Sequence, residues 1–386
     1  MSIADWFNSE PVRNFRTQVL SSVPASACRR CYVEEQFGGN SRRTKSNQKS
    51  AIFVQAFEDS FAQSPGKQHF NISGLTNTHP VDIHIDLGNY CNLACKMCNS
   101  RASSTIASQE VKWGTEASRQ YLGTDWTKNP QVWYNFLNQL LEIPGLNNIH
   151  VMGGETLLTS RFEELVDYMA EHNRFDVCFS FVTNGTVFKP ELLQKLSKFR
   201  RVGIEVSIES MDAHNAYQRQ GTDTAQVLAN IKRYQSLCDG SSITVTIRPA
   251  VSLLTIGYFP ELLQYCLNNN LIVKALLVST PRFLDAVILP QSVKDLYLEK
   301  YQLLFDQLSK VHVPGDYNAS DPHNHAIVVK EQTQMCMNIL ATSVPDDASR
   351  LYSQLVGHCR RWDQVYGYNA KQLYPELVLI WDHHGY

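Results

Sequence analysis

The chain has no long hydrophobic run, and no apolar stretch approaches the roughly 20 residues that a membrane-spanning helix needs. Its first residues lack the basic region and the apolar stretch of a secretory signal. It also lacks an excess of one charge, because 35 Lys and Arg nearly balance 37 Asp and Glu. No bulk attraction to nucleic acid or to a membrane surface is therefore indicated. These absences predict a cytoplasmic protein without a membrane partner, and they argue against nucleic acid as a partner.

Cysteine is what the sequence does have, with 10 among 386 residues. In a reducing compartment a disulfide framework is the weaker explanation of so many cysteines. Five of them form two tight clusters, and such close spacing is typical of a metal site. The clustered residues are Cys28, Cys31, Cys91, Cys95 and Cys98.

Short β-rich runs alternate with amphipathic segments of helical length. The candidate strands are 81–86, 148–152, 177–183, 202–208, 243–249 and 273–279. The candidate helices lie near 131–142, 160–173, 190–199, 222–237 and 258–269. This alternation predicts an α/β fold with a parallel sheet, and six units predict an open, partial (βα)6 TIM-like barrel rather than a closed barrel of eight. Ligands of such sheets gather at the carboxyl ends of the strands.

Three domains are expected from these patterns. The barrel is predicted at 76–289, between an N-terminal segment, 1–75, and a mostly helical C-terminal region, 290–386. A smaller auxiliary region would form from the two terminal segments.

Cys91, Cys95 and Cys98 follow the first candidate strand, so one loop can wrap a single metal cluster. Iron–sulfur clusters take thiolate ligands, and three cysteines for four irons leave one iron open to a non-protein ligand. The alternative is a zinc site, but structural zinc usually takes four protein ligands, and no His or fourth Cys follows closely.

The spacing Cys91-x-x-x-Cys95-x-x-Cys98, placed after the first strand of a βα array, resembles the signature of the radical S-adenosylmethionine (radical SAM) superfamily. The surrounding sequence CNLACKMC is similar to the branch with SPASM or twitch auxiliary domains. Met97 departs from the aromatic residue that many relatives carry there. The resemblance implies a [4Fe–4S] cluster on the three cysteines and S-adenosyl-L-methionine bound beside it.

A second motif of this family follows the second candidate strand as Gly153-Gly154-Glu155. The resemblance implies that it binds the amino group of the cosubstrate. Two glycines allow close backbone approach, and a carboxylate can pair with an ammonium. Alone, the same three residues would be read as an ordinary loop turn.

The next two strands end in further residues that resemble the family pattern. Asn184 lies in a Thr-Asn-Gly sequence, which is also a common turn. Ser207 and Glu209, expected on one face of the fourth strand, resemble the pair that contacts the ribose or carboxylate of the cosubstrate. Arg219 matches a position where relatives often place a carboxylate-binding arginine, and a solvated arginine at a helix start is the alternative.

Cys28 and Cys31 open a stretch that resembles the Cys-x-x-Cys-x-x-x-Glu-x-x-Gly-x-x-Ser-x-Arg element of twitch-type radical SAM proteins, including phage-encoded ones. With Cys336 and Cys359 they would ligate a second, auxiliary [4Fe–4S] cluster. Four-cysteine zinc, a redox-active Cys-x-x-Cys and simple packing of the C-terminal cysteines are the alternatives.

The resemblance implies an enzyme that cleaves S-adenosylmethionine to a 5′-deoxyadenosyl radical, which abstracts hydrogen from a substrate. A peptide or protein substrate is the first interpretation, with a flavodoxin or ferredoxin as electron donor. A small molecule, nucleotide or RNA substrate is an alternative, and a non-catalytic, zinc-stabilised binding module is another. No catalytic acid or base can be assigned from the sequence.

Overall fold

The computed structural model describes residues 2–21, 24–46, 75–76, 79–123, 125–309 and 325–386. The chain divides into two compact units. One contains Met1–Ile83 and Asn129–Asn148, and the other contains His84–Lys128 and Ile149–Tyr386. This division differs from the domain boundaries expected at residues 75 and 289, which stay a prediction.

The largest sheet has six strands in the order β1-β3-β4-β5-β7-β9. These strands are Asp82–Asp86, Asn148–Met152, Cys178–Thr183, Arg201–Val206, Ile243–Ile247 and Ile272–Val273. The pairs β4–β5, β5–β7 and β7–β9 are parallel. Spatial order follows chain order, so each strand is placed beside the one before it, as in a βα array. The predicted α/β fold with a partial TIM-like barrel is confirmed.

The core of this sheet follows from side chains that alternate along each strand. Phe179 and Phe181 of β4 are buried, as are Val202, Ile204 and Val206 of β5. The parallel register sets Phe181 opposite Ile204. Since side chains of a strand alternate between the two faces, these residues line one covered face of the sheet.

Helices connect the strands and form the C-terminal region. In the described part of the chain their bounds are Ile3–Phe7, Glu10–Leu20, Arg29–Gln36, Ser104–Lys112, Pro130–Glu142, Ser160–Glu171, Pro190–Leu196, Ala213–Gln218, Thr224–Gln235, Phe259–Asn268, Gln291–Ser309, His325–Leu340, Ala348–Tyr366, Ala370–Leu373 and Val378–His383. Residues 42–46 are also helical. Within the described ranges, no helix is long and apolar enough to cross a membrane.

Four short strands lie outside the main sheet. β2, Ala94–Cys95, pairs with β6, Arg219–Gln220, and β8, Ala250–Val251, pairs with β10, Leu276–Leu277.

Three candidate strands end earlier than expected. The strand predicted at 202–208 ends at Val206, and the one predicted at 243–249 ends at Ile247. The one predicted at 273–279 is divided into β9 and β10. Pro249 gives the physical reason for the division, because proline has no N–H to donate and interrupts the ladder after β7. Pairing resumes beyond it, where the Leu276 N–H donates to the Pro249 carbonyl at 2.7 Å.

Candidate metal centre and cofactor site

The three cysteines of the triplet lie in one loop, and strand pairing fixes the middle of that loop. Cys95 belongs to β2, which pairs antiparallel with β6 so that Cys95 lies opposite Arg219. The Lys96 N–H extends this ladder and donates to the Gln218 carbonyl at 2.9 Å. The short strand β6, which follows β5 in the chain, therefore holds Cys95 in place.

The residues that lead into the helix Ser104–Lys112 hold the rest of the loop. The Ser103 hydroxyl donates to the Leu93 carbonyl at 2.8 Å, and the Thr105 hydroxyl donates to the Cys91 carbonyl at 2.6 Å. The Cys91 N–H donates to the Ser104 hydroxyl at 3.3 Å. Three hydroxyl residues in a row thus fix the backbone around Cys91, a function that no spacing rule predicts.

The three thiols are free of disulfides and largely withdrawn from water. Burial raises the pKa of Cys91 to about 11 and also raises the pKa of Cys95 and of Cys98. Binding an iron–sulfur cluster requires the thiolate form, so assembly of a cluster on this loop would release protons. Three thiols from one loop are a donor set that suits such a cluster.

Gly153 and Gly154 lie against the start of the cysteine loop and have positive φ angles of 104° and 54°. A Cβ on Gly153 would lie 2.1 Å from an Asp86 carboxylate oxygen, and one on Gly154 would lie 2.1 Å from the Tyr90 carbonyl oxygen. The Glu155 N–H donates to that same Tyr90 carbonyl at 2.8 Å. Glycine is therefore required here by both conformation and space.

The Glu155 carboxylate is buried and accepts three hydrogen bonds from the chain. Oε1 accepts from the Leu157 N–H at 3.0 Å and from the Thr183 hydroxyl at 2.7 Å, and Oε2 accepts from the Asn184 N–H at 2.6 Å. Burial outweighs these bonds and raises its pKa. A carboxylate has about four acceptor positions, so these bonds leave room for a further donor. The expected contact with an ammonium group stays a prediction.

Asn184 connects the end of β4 to the cysteine loop. Its side-chain Nδ2 donates to the side-chain Oδ1 of Asn92 at 2.9 Å, and Asn92 Nδ2 donates to the Thr186 hydroxyl at 3.1 Å. Asn184 thus does more than form a turn, because it bonds a residue between two of the cysteines. Asn92 was missed by sequence reasoning, and its only signal was a polar residue inside the triplet.

Arg219 is buried, with 9% of its surface exposed, and it binds Glu209, which is 0% exposed. Arg219 Nη2 donates to Glu209 Oε1 at 2.8 Å, and Nε donates to Oε2. Arg219 Nη1 lies 3.8 Å from Cys95 Sγ. Burial opposes the charged form, but Glu209 outweighs it, and the pKa of Arg219 lies above its usual range. The solvated arginine considered as an alternative is wrong.

Ser207 and Glu209 follow β5 rather than lie within it, so the expected shared face of one strand is not formed. Both are nevertheless buried near the carboxyl end of the strand. The Ser207 N–H donates to the Thr183 carbonyl at 2.9 Å, and Glu209 Oε1 accepts from the Ala250 N–H at 3.1 Å. Their predicted contacts with a cosubstrate stay predictions.

Cys28 and Cys31 are partly exposed and lie at the start of the helix Arg29–Gln36. The other polar residues of their sequence element bond one another. Glu35 accepts hydrogen bonds from the Ser41 hydroxyl and from Arg43, whose Nε lies 3.1 Å from Glu35 Oε1. These contacts give Glu35, Ser41 and Arg43 a role in closing the turn after the helix.

Cys336 and Cys359 are buried within the helices His325–Leu340 and Ala348–Tyr366. Tyr301 adjoins Cys336, whereas Tyr217 and Lys96 adjoin Cys359. Among the residues that the structure describes, no group of three or more His, Cys, Asp or Glu side chains is placed so that it could hold a metal ion, and this applies to Cys91, Cys95 and Cys98 as well, whose assignment rests on three thiols in one loop. The auxiliary cluster on these four cysteines stays a prediction.

A family model matches the part of the chain that carries the site. Residues 85–265, which contain the cysteine triplet and the strand-end motifs, match the family model described as the Radical SAM superfamily. This match agrees with the family that the motifs resemble.

The chain is also similar to individual proteins. The chain is 25% identical to the radical SAM cyclopropyl synthase TigE of Paramaledivibacter caminithermalis, over 49% of this chain and 39% of the relative. It is 28% identical to the mycofactocin maturase MftC of Mycolicibacterium smegmatis, over 35% of this chain and 29% of the relative. The sporulation killing factor maturation protein SkfB of Bacillus subtilis is 22% identical, over 57% of this chain and 48% of the relative. The match thus spans less than half the length of each of these relatives.

A structure of Streptococcus suis SuiB with the precursor peptide SuiA aligns with a TM-score of 0.42 at 15% identity, covering 67% of this chain and 60% of that one.

Proposed function

We propose that this chain is a radical SAM enzyme that binds a [4Fe–4S] cluster through Cys91, Cys95 and Cys98 and modifies a peptide or protein substrate. The observation that carries the proposal is the convergence of strand-end motifs on one loop. Gly154 and Asn184 contact the loop directly, and Arg219 approaches the sulfur of its middle cysteine.

When bound, the cluster and S-adenosylmethionine supply one-electron cleavage of a carbon–sulfur bond and a carbon radical that removes hydrogen from the substrate. The chain's own residues orient these groups and exclude water from them. Glu155 is held by three hydrogen bonds, and its remaining acceptor positions would accept a hydrogen bond from the ammonium group of the cosubstrate. The buried Arg219–Glu209 pair keeps a guanidinium N–H directed at Cys95, where it favours the thiolate.

Two observations support a peptide or protein substrate. The triplet and the element around Cys28 and Cys31 resemble the SPASM and twitch branch, whose members mostly modify peptides or proteins. Two of the relatives are named as a maturase and a maturation protein. A small reducing protein such as flavodoxin or ferredoxin would deliver the electron.

The test is anaerobic purification and reconstitution, followed by assays of iron, sulfide and 5′-deoxyadenosine formed from S-adenosylmethionine and a reductant. A triple Ala variant of Cys91, Cys95 and Cys98 is expected to lose cleavage and about four irons per chain. A matched double Ala variant of Cys178 and Cys238 is expected to keep both. A colourless protein that holds zinc and never forms 5′-deoxyadenosine would overturn the proposal.

The auxiliary cluster has its own test in the same assay. A protein with two four-iron clusters holds about eight irons per chain, and one with a single cluster holds about four. If the auxiliary cluster exists, Cys28→Ala/Cys31→Ala removes about four irons. An unchanged iron count in this variant would assign the two cysteines to another role.

A further inference from the structure

Lys96, which directly follows Cys95, is a buried cation without a hydrogen-bond partner. The residue is 1% exposed, and its Nζ makes no hydrogen bond within the described part of the chain. Its backbone is fixed by the bond to Gln218, so the side chain starts from a rigid point. Burying an ammonium without a partner is energetically costly, because the ion loses its water.

Aromatic rings take the place of water around this ammonium. Nζ lies 3.7 Å from the ring centroid of Tyr217, 5.4 Å from that of Trp362 and 5.9 Å from that of Tyr368. Desolvated cation–π contacts of this kind favour the ammonium form of a lysine, which is also its ordinary form at pH 7.

The acidic side chains near Lys96 do not form an ion pair with it. Asp363 and the Cys359 thiol are its electrostatic neighbours. One oxygen of Asp363, Oδ2, accepts from the Ala370 N–H at 2.7 Å and from the Tyr386 hydroxyl. The other oxygen, Oδ1, is buried and has no hydrogen-bond partner in the described ranges.

Lys96 therefore differs from Arg219, the other buried cation near Cys95. Arg219 is neutralised by a two-point contact with Glu209. Lys96 forms no ion pair with a carboxylate in the described part of the chain, and it directly follows Cys95. In a site with little water, such a charge acts strongly on a neighbouring anionic centre.

The helix Ala348–Tyr366 brings this environment to the cysteine loop. Trp362 packs with Ala94 and Ile106 in one buried cluster, and Cys98 and Tyr366 pack against it. This helix thus contributes to the low-polarity surroundings of Lys96, in which the charge of Lys96 interacts with neighbouring groups more strongly than it would in water.

We propose that Lys96 acts through Cys95 as a positioning residue for the iron–sulfur centre, and that its buried, unpaired ammonium raises the reduction potential of the cluster. This inference rests on the proposed function, because it needs a cluster on the triplet. Net charge and solvent exposure around a cluster are among the factors that set its potential. A nearby cation stabilises the added electron and so makes the cluster easier to reduce.

The experiment is a redox titration of the reconstituted full chain, followed by electron paramagnetic resonance, with iron and sulfide measured on each sample. Lys96→Met keeps the length of the side chain and removes its charge, so its midpoint potential should be lower than that of the wild type. Lys96→Arg keeps the positive charge, so its midpoint potential should be close to that of the wild type. Lys112→Met, which removes an exposed lysine, should leave it unchanged because water and salt screen that charge.

Asp363→Asn provides a test of sign that leaves Lys96 in place. Removing a negative neighbour should raise the midpoint potential, opposite to the effect of Lys96→Met. A distorted loop would not produce opposite shifts in the two variants. If Lys96→Met does not assemble a cluster, Lys96→Gln and Asp363→Asn decide the question.

Full iron content with an unchanged potential in the Lys96→Met or Lys96→Gln variant overturns the inference. So does a shift of the same sign in Asp363→Asn. A wild-type protein that assembles no cluster would instead overturn the proposed function, so the two failures are distinguishable.

Discussion

Glu209→Gln is expected to destabilise the unit that contains the cysteine triplet. Glu209 is fully buried and its carboxylate makes a two-point contact with Arg219. The substitution keeps the size of the side chain but leaves the guanidinium of Arg219 buried without a counter-charge. Removing one partner of a buried ion pair typically costs about 3–5 kcal/mol.

The expected loss can be converted into a change in melting temperature. For units of 150–250 residues, each kcal/mol shifts the midpoint by about 2–4 °C. The unit in question is somewhat larger, so the shift per kcal/mol lies near the lower end of this range, and we expect Glu209→Gln to melt roughly 5–10 °C lower than the wild type. The assay is thermal unfolding followed by circular dichroism, carried out on protein without a cluster so that metal binding does not contribute.

Two further variants test the physical reason. Glu116 forms an exposed pair with Arg119, with Glu116 Oε2 2.8 Å from Arg119 Nε. Exposed pairs contribute about 0–1 kcal/mol, so Glu116→Gln should change the melting temperature little. Glu209→Leu combined with Arg219→Met removes both charges and should recover much of the loss. The reasoning is refuted if Glu209→Gln melts no lower than Glu116→Gln.

Three other predictions follow from the structure. Gly154→Ala should abolish cluster assembly, measured as iron per chain, because the new Cβ would overlap a backbone oxygen. Gly240 has a similar positive φ but open space around it, so Gly240→Ala should assemble the cluster normally. Asn92→Ala removes the hydrogen bonds with Asn184 and Thr186, which follow β4, and should lower the free energy of unfolding by about 1–3 kcal/mol, with faster hydrogen exchange in the cysteine loop and unchanged exchange in distant helices. Burial lowers the pKa of His358 from 6.5 to about 4, so between these pH values the unfolded chain binds a proton at His358 that the folded chain does not bind. The free energy of unfolding should therefore fall by up to about 1.4 kcal/mol for each pH unit below 6.5. As the pH is lowered from 7 to 5, the melting temperature of His358→Gln should fall less than that of the wild type. An equal fall in both would contradict the lowered pKa of His358.

The order of strands and helices and the position of the cysteine triplet were predictable from the sequence alone. Periodicity is a local property, so the buried positions of β4 and β5 can be read from neighbouring residues. The motifs at the strand ends could also be placed together, because the carboxyl ends of parallel strands meet at one edge of the sheet. This reasoning located Gly153, Glu155, Asn184 and Glu209 around one site.

Contacts between distant segments were decided only by the tertiary structure. No spacing rule pairs Asn92 with Asn184 or sets Arg219 opposite Cys95, because these contacts depend on the register of segments far apart in the chain. The burial of Lys96 is a further case, since its ring environment includes Trp362, from a helix more than 200 residues away. Desolvation is a property of the packed molecule, so the cost of a charge, and its influence on a neighbouring site, exists only after the chain has folded.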